Sequence, residues 1–320
     1  MAINPPLLQP GDHVAIISPA TIVNPEYIDG ACEHLRREGF VPVVMPHAKG
    51  DARGSYAASD PDRLSDIIAA YRCPEIKAIL CARGGYGCNH LLPHIPFELL
   101  RDNPKWLIGF SDISALHALS LRAGVMSLHA PMAKHLTLLP DDHYTTQALF
   151  DILRKGLPHT YTLPSSPLSK PGTAQGILVG GNLAVINGLA ATPFDPLAPD
   201  AADNMIPRKD TPVILMIEDI SEAIYAVERM LLRLIFSGTI ARLKGLIIGQ
   251  FTEYRPDLNF SDMESMISRL LADFAPGLDI PIAYQFPVGH VDDNLPLPLG
   301  SMATLCINPT TTTLCLEYPQ

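Results

Sequence analysis

Trp106-Leu107-Ile108-Gly109-Phe110-Ser111-Asp112-Ile113-Ser114-Ala115-Leu116-His117 is the stretch that decides how this 320-residue chain folds. Residues 106–110 form a short apolar run that predicts a buried strand, and the apolar spacing over 113–121 predicts a helix. Only Ser111-Asp112 separates the two. A serine at so sharp a strand-to-helix junction holds its hydroxyl clear of the backbone, beside the amides that open the helix. That geometry suits a nucleophile facing an oxyanion hole. Serine and aspartate are also favoured helix caps, so the junction alone reads equally well as a plain helix start.

The same alternation runs outward. Residues 13–18, 41–45 and 78–81 are strand-like, and helical spacing covers 27–38 and the segment that Asp60-Pro61 opens. Strand, turn and helix repeated in this way predict an α/β fold whose parallel sheet is covered by helices. Residues 158–173 are Pro- and Ser-rich and form the expected connector. The division is therefore a domain over 1–157, a linker over 158–173 and a domain over 174–320. The second part carries a strand at 176–179, the turn Gly180-Gly181-Asn182 and a helix from 183. A Pro- and Asp-rich loop over 194–210 follows, then strands at 213–217 and 245–249, helices over 222–236 and 261–274, and short strands over 281–316.

Acidic residues outnumber basic ones by 33 to 23, a formal charge of −10. That balance argues against nucleic acid as partner, because phosphate binding needs a basic surface. No apolar stretch approaches the ~20 residues that span a bilayer, and the first residues lack the basic and apolar regions of a signal peptide. The six cysteines show no CxxC pair and read as reduced side chains rather than disulfides or a zinc site. A cytoplasmic protein without membrane partner, metal or cofactor is the expectation.

In α/β sheets ligands bind at the carboxyl ends of the strands. Three distinctive loops fall there: Ser18-Pro19-Ala20, Arg83-Gly84-Gly85-Tyr86-Gly87 and Ser111-Asp112. The glycine turn lacks the Lys-Ser/Thr ending of a P-loop and the spacing of a dinucleotide fingerprint. An amide of Gly84 or Gly85 joining that of Asp112 around an oxyanion is one reading, and a tight turn is another.

A serine nucleophile needs a base. His290, in the Pro- and Gly-bounded loop 286–294, is the most suggestive of the eleven histidines; His117 is expected to pack and His129 to form a pocket wall. The base needs a carboxylate, and Glu218 or Asp219 at a strand end supplies one, while Glu222 is placed to cap the next helix. A divalent ion held by His290, Asp292, Asp293, Glu218 and Asp219 is the metal alternative, without a recognised ligand motif.

Taken together these stretches resemble the LD-carboxypeptidase family, serine peptidases that include the microcin C self-immunity peptidases. The matching segments are 11–19, 58–63, 82–87, 109–117, 129–132, Gly180-Gly181-Asn182-Leu183, Ile217-Glu218-Asp219 with 228–231, and Gly289-His290 with 297–300. The resemblance implies a Ser111–Glu218–His290 triad, with oxyanion donors from the Asp112 amide and the Gly84-Gly85 turn. It implies a flavodoxin-like or amidotransferase-like N-terminal domain, a smaller β-rich C-terminal domain, an active site in the groove between them and a homodimer.

The implied reaction removes the terminal D-alanine from cytoplasmic murein tetrapeptide, a small peptide substrate, in wall recycling. Arg83 for the terminal carboxylate, Asn182 as a polar partner and Met132 are the candidate substrate contacts. In the microcin-type branch a C-terminal loop supplies an aromatic that stacks on the nucleobase. Here Phe194 alone is on offer in the 193–210 loop, and Trp106, the chain's one tryptophan, lies on a strand. Muropeptide is thus favoured over aminoacyl-nucleotide, and a non-catalytic binding protein on the same fold is the rival of another class.

Overall fold

The computed structural model describes residues 2–50, 54–198 and 210–319. Five strands of the first half are β1 (His13–Ile17), β2 (Val41–Val44), β3 (Ile76–Cys81), β4 (Trp106–Gly109) and β5 (Ser127–His129). They lie in the order β2-β1-β3-β4-β5, all parallel. β3 and β4 are apolar along almost their whole length, as strands covered on both faces must be. The strand order reverses between β1 and β3, so the loops leaving these two strands flank the crevice where such sheets take ligands.

Local chemistry starts the helices between them. Asn24 accepts from the Glu26 amide at 3.1 Å ahead of Pro25–Arg37, and Ser59 accepts from the Asp62 amide at 3.3 Å ahead of Asp60–Arg72. Each carries proline in its first turn, where the missing N–H costs nothing. The glycine turn does not run straight into a helix. Two short 3₁₀ turns, Cys88–His90 and Leu92–His94, precede the helix Phe97–Asp102.

The remaining strands are β6 (His159–Pro164), β7 (Gly172–Asn182), β8 (Val213–Ile220), β9 (Gly245–Thr252), β10 (Ile282–Ala283), β11 (Leu297–Leu299), β12 (Met302–Ile307) and β13 (Thr311–Glu317). Seven of them form a second sheet in the order β10-β9-β8-β7-β12-β13-β6. β7 to β10 run parallel with helices between them, and β12, β13 and β6 are antiparallel. The C-terminal half is therefore a mixed α/β layer rather than the smaller β-rich unit expected. Along β7 the burial pattern alternates through the first residues and becomes continuous where β8 joins it, as the change from one covered face to two requires.

The two sheets are interlocked. The expected connector, 158–173, contributes β6 to the second sheet and the start of β7. In return β11, from the far end of the chain, adds antiparallel to β5 and completes the first sheet. Of the Pro- and Asp-rich loop, 199–209 lies outside the described residues. Among the described residues no helix is long and apolar enough to cross a membrane.

Candidate active site

Chain direction turns sharply where β4 ends. Phe110 is extended, Ser111 has φ +66°, and a 3₁₀ turn over Ser111–Ile113 leads into the helix Ser114–Arg122. A non-glycine residue in the left-handed region costs on the order of 1–3 kcal/mol and persists only where its surroundings enforce it. The strain lifts the Ser111 side chain out of the turn.

The Ser111 hydroxyl meets His290. Its Oγ lies 2.9 Å from His290 Nε2, and His290 Nδ1 lies 2.8 Å from Glu218 Oε2. With Nδ1–H donating to the carboxylate, Nε2 is the acceptor of the serine proton. His290 is held from its own loop, where the Gly289 N–H donates to the buried Asn294 Oδ1 at 2.9 Å. The edge of Phe110 packs against the imidazole with centroids 4.9 Å apart.

Glu218 is fully buried near the end of β8, beside an irregularity where the pairing with β9 shifts between Ile217 and Asp219. A bulge re-aims the side chains next to it. Here it accompanies a division of labour between adjacent acids. Glu218 reaches His290, while Asp219 accepts from the Asn182 side chain at 2.8 Å and from the Ala184 and Ile220 amides at 2.9 Å each. Burial, and then the neighbouring Glu218 charge, push the Asp219 carboxyl up to about 6.

The glycine turn closes on the serine from the other side. A Cβ on Gly84 would stand 2.7 Å from Ser111 Cβ and 3.2 Å from the Asp112 nitrogen, so only glycine permits this approach. Among the described residues the N–H groups of Gly84, Gly85 and Asp112 donate to no protein atom. Backbone donors left free beside a reactive hydroxyl are the ingredients of an oxyanion hole.

A cavity of about 500 Å³ opens over the relay. Arg83 and Met132 line it, as do Asp292, named above only for the metal alternative, and Lys134, His135 and Glu253, which sequence reasoning missed. Lys134 and His135 lie two and three residues after Met132, so proximity to a chosen residue was the available signal. Glu253 carried only its place after a strand, and its φ of +55° marks it in the structure.

Asn182 does not line the cavity. Its side chain accepts from the Val185 N–H, capping the helix Leu183–Gly188, and donates to Asp219; its own N–H donates to Ser114 Oγ. The expected substrate contact is instead a bridge between the elbow helix and the acidic strand end. Glu222 does not cap the next helix, which starts at Ile224 with no side-chain cap. The metal alternative loses its geometry too. Both His290 nitrogens are engaged, and Asp293 lies 3.6 Å from His143.

His117 packs, as its spacing predicts. Its Nε2 faces the Gly109 carbonyl at 2.8 Å and its Nδ1 the Ser127 hydroxyl at 2.9 Å, and burial lowers its pKa to about 4. His129 is fully buried behind Phe110, where burial keeps it neutral.

Family models for the LD-carboxypeptidase N-terminal and C-terminal domains match residues 14–130 and 175–305. The probable murein peptide carboxypeptidase of Bacillus subtilis (strain 168) is 32% identical over 304 residues, spanning 94% of this chain and 91% of the relative. The chain belongs to the LD-carboxypeptidase family. It is thus a serine-type carboxypeptidase, a hydrolase. The structure of a muramoyltetrapeptide carboxypeptidase from Oxalobacter formigenes superposes with a TM-score of 0.82 at 29% identity, covering 96% of this chain and 100% of that one. The microcin C7 self-immunity protein MccF of Escherichia coli is 24% identical over 323 residues, covering 91% of this chain and 89% of that protein. In this LD-carboxypeptidase the Gly84-Gly85 turn, Ser111, His290 and the charged rim line one cavity, with Glu218 buried behind it.

Proposed function

We propose that this LD-carboxypeptidase cleaves the bond before the terminal D-alanine of murein tetrapeptides. Ser111 attacks the scissile carbonyl as His290 takes its proton, and the Glu218 carboxylate stabilises the imidazolium so formed. The amides of Asp112, Gly84 and Gly85 receive the negative charge on the carbonyl oxygen; one such donor is typically worth ~3–4 kcal/mol. His290 then protonates the departing amine, which leaves as D-alanine, and water hydrolyses the acyl-enzyme by the same route in reverse.

The observation that carries the reading is the unbroken Ser111–His290–Glu218 relay, with hydrogen bonds of 2.9 and 2.8 Å, opening into a cavity with free backbone donors. Arg83, which donates to the Ile22 carbonyl through one nitrogen at 3.0 Å, keeps its other guanidinium donors for the terminal carboxylate of a peptide. The strand order β2-β1-β3-β4-β5 supports the flavodoxin-like reading of the first half.

The murein names of two relatives support the tetrapeptide as substrate. So does the placement of the two aromatics that could have served a nucleobase. Phe194 packs against Phe97 with centroids 6.1 Å apart, and Trp106 is fully buried, donating to the Pro6 carbonyl at 3.1 Å. The relative named as a microcin self-immunity protein keeps an aminoacyl-nucleotide as the second reading.

Mass spectrometry of L-Ala–γ-D-Glu–diaminopimelate–D-Ala after incubation with the protein tests the choice. Release of D-alanine is expected. Intact tetrapeptide alongside cleavage of an aminoacyl sulfamoyl adenosine would overturn the substrate assignment and leave the serine chemistry standing.

A further inference from the structure

The segment 58–63, one of the stretches that carry the family resemblance, takes no part in the relay. Its last residue, Arg63, is 1% exposed. A guanidinium so deeply buried needs its partners. Nη1 donates to two carbonyl oxygens, that of Pro19 and, at 3.1 Å, that of Gly87, while Nη2 donates to the Asp60 carboxylate. The group also lies over the Tyr56 ring, 5.1 Å from its centroid.

Pro19 sits in the loop leaving β1 and Gly87 closes the glycine turn leaving β3, so one side chain ties together the two sides of the crevice. Gly87 has φ +132°, and a Cβ there would stand 2.8 Å from Arg63 Nη1. The third glycine of the turn is thereby explained: it admits the arginine.

The rest of the turn is fixed in the same manner. The Gly84 carbonyl accepts from the Thr21 N–H at 3.3 Å, the Tyr86 N–H donates to Thr21 Oγ1 at 3.0 Å, and the Cys88 N–H donates to Asp112 Oδ2 at 2.9 Å. Bonds therefore flank Gly84 and Gly85 on both sides and leave their own N–H groups free next to Ser111.

We propose that Arg63 is a positioning residue for the oxyanion hole: by bracing the Pro19 and Gly87 carbonyls it holds the Gly84-Gly85 amides at the distance from Ser111 that the reaction needs. This rests on the assignment of Ser111 as nucleophile and of the turn amides as donors. Lysine is a poor substitute, since a single ammonium lacks the planar fork that reaches both carbonyls and Asp60 together.

A fluorophosphonate probe reads the arrangement without depending on the natural substrate. Ser111 Oγ bonds to phosphorus, fluoride leaves, the hydroxyl proton passes to His290, and the phosphoryl oxygen takes the oxyanion position. Arg63→Met and Arg63→Lys, with circular dichroism matching the parent, are expected to label on the order of ten- to a hundredfold more slowly. With tetrapeptide the loss should fall on kcat while KM stays within about twofold, a split that general loosening of the fold does not produce. Should Arg63→Met fail to fold, the milder Arg63→Lys decides. A folded variant labelling at the parent rate overturns the proposal. Equal labelling of Ser111→Ala and parent overturns the nucleophile assignment instead.

Discussion

His290 Nε2 and Ser111 Oγ are 2.9 Å apart although 179 positions separate them in the chain. The contact joins the end of β4 in the first sheet to the loop that precedes β11, and β11 itself pairs with β5 of that same sheet. The histidine is thus delivered by a chain segment already anchored beside the serine, which limits how far the two can drift apart.

If Ser111 is the nucleophile, Ser111→Ala and His290→Ala each lower kcat by roughly 10⁴-fold or more, and the double variant loses little beyond either single one, because a relay acts as a unit. Steady-state kinetics on the tetrapeptide check this. Additive losses would argue that the two residues act independently.

Glu218→Gln keeps the size of the side chain and removes the charge that fixes the imidazole tautomer. A fall in kcat on the order of 10⁴-fold is expected with thermal stability little changed. Because Asp219 is committed to Asn182 and Ala184, Asp219→Asn should cost far less activity. The reverse ranking of the two variants would reassign the acid.

Gly84→Ala places a Cβ 2.9 Å from Ser111 Oγ. Turnover should fall steeply while the melting temperature moves little, since the clash sits at a cavity wall rather than in the core. An alanine variant as active as the parent would remove the turn from the site.

Arg83→Ala removes charge-assisted bonding to a terminal carboxylate, worth about 1.5–3 kcal/mol, so kcat/KM for tetrapeptide drops by roughly tenfold or more. The same substitution should matter much less for a peptide whose C-terminus is amidated. Equal losses on both peptides would assign Arg83 another role.

Buried His117 and His129 and half-buried His135 weaken the fold at acid pH. Burial lowers His117 and His135 to about 4 and holds His129 well below its ordinary value, so each is neutral in the folded chain and protonates near 6.5 once unfolded. Their folded pKa values lie below the unfolded ones, so stability is complete above about pH 6.5 and declines toward pH 4, by up to about 1.4 kcal/mol per unit for each group. Urea melts at pH 7, 6 and 5 should show the decline, with a shallower slope in His117→Gln. An unchanged slope would mean that His117 takes up its proton without unfolding.

The sharp turn at Ser111 was legible because it is local: the change from strand to helix spacing falls on Ser111-Asp112 and needs no distant partner. The capped, proline-led starts of Pro25–Arg37 and Asp60–Arg72 were legible for the same reason. Spacing left Glu218 and Asp219 unseparated and only the family resemblance picked Glu218, since adjacent strand residues point to opposite faces and the local pairing irregularity enters the choice. Asn182 was misread as a substrate contact because its polar side chain looks equally available whether it caps a helix or faces a ligand. Lys134 and Glu253 belong to a rim assembled from separate elements, which no spacing rule encodes.

Sequence alone determined what depends on neighbours a few residues away: the alternating elements, the serine at a strand end, the glycine turn and the family to which these belong. Tertiary structure decided what depends on long-range pairing: that 159–164 pairs as β6 at the edge of the second sheet, that Glu218 in fact reaches His290, and that Arg63 braces the turn beside Ser111. The difference is physical. Periodicity and capping record the local backbone, whereas the direction in which a side chain points across a cleft follows from register, bulges and packing that only the folded chain contains.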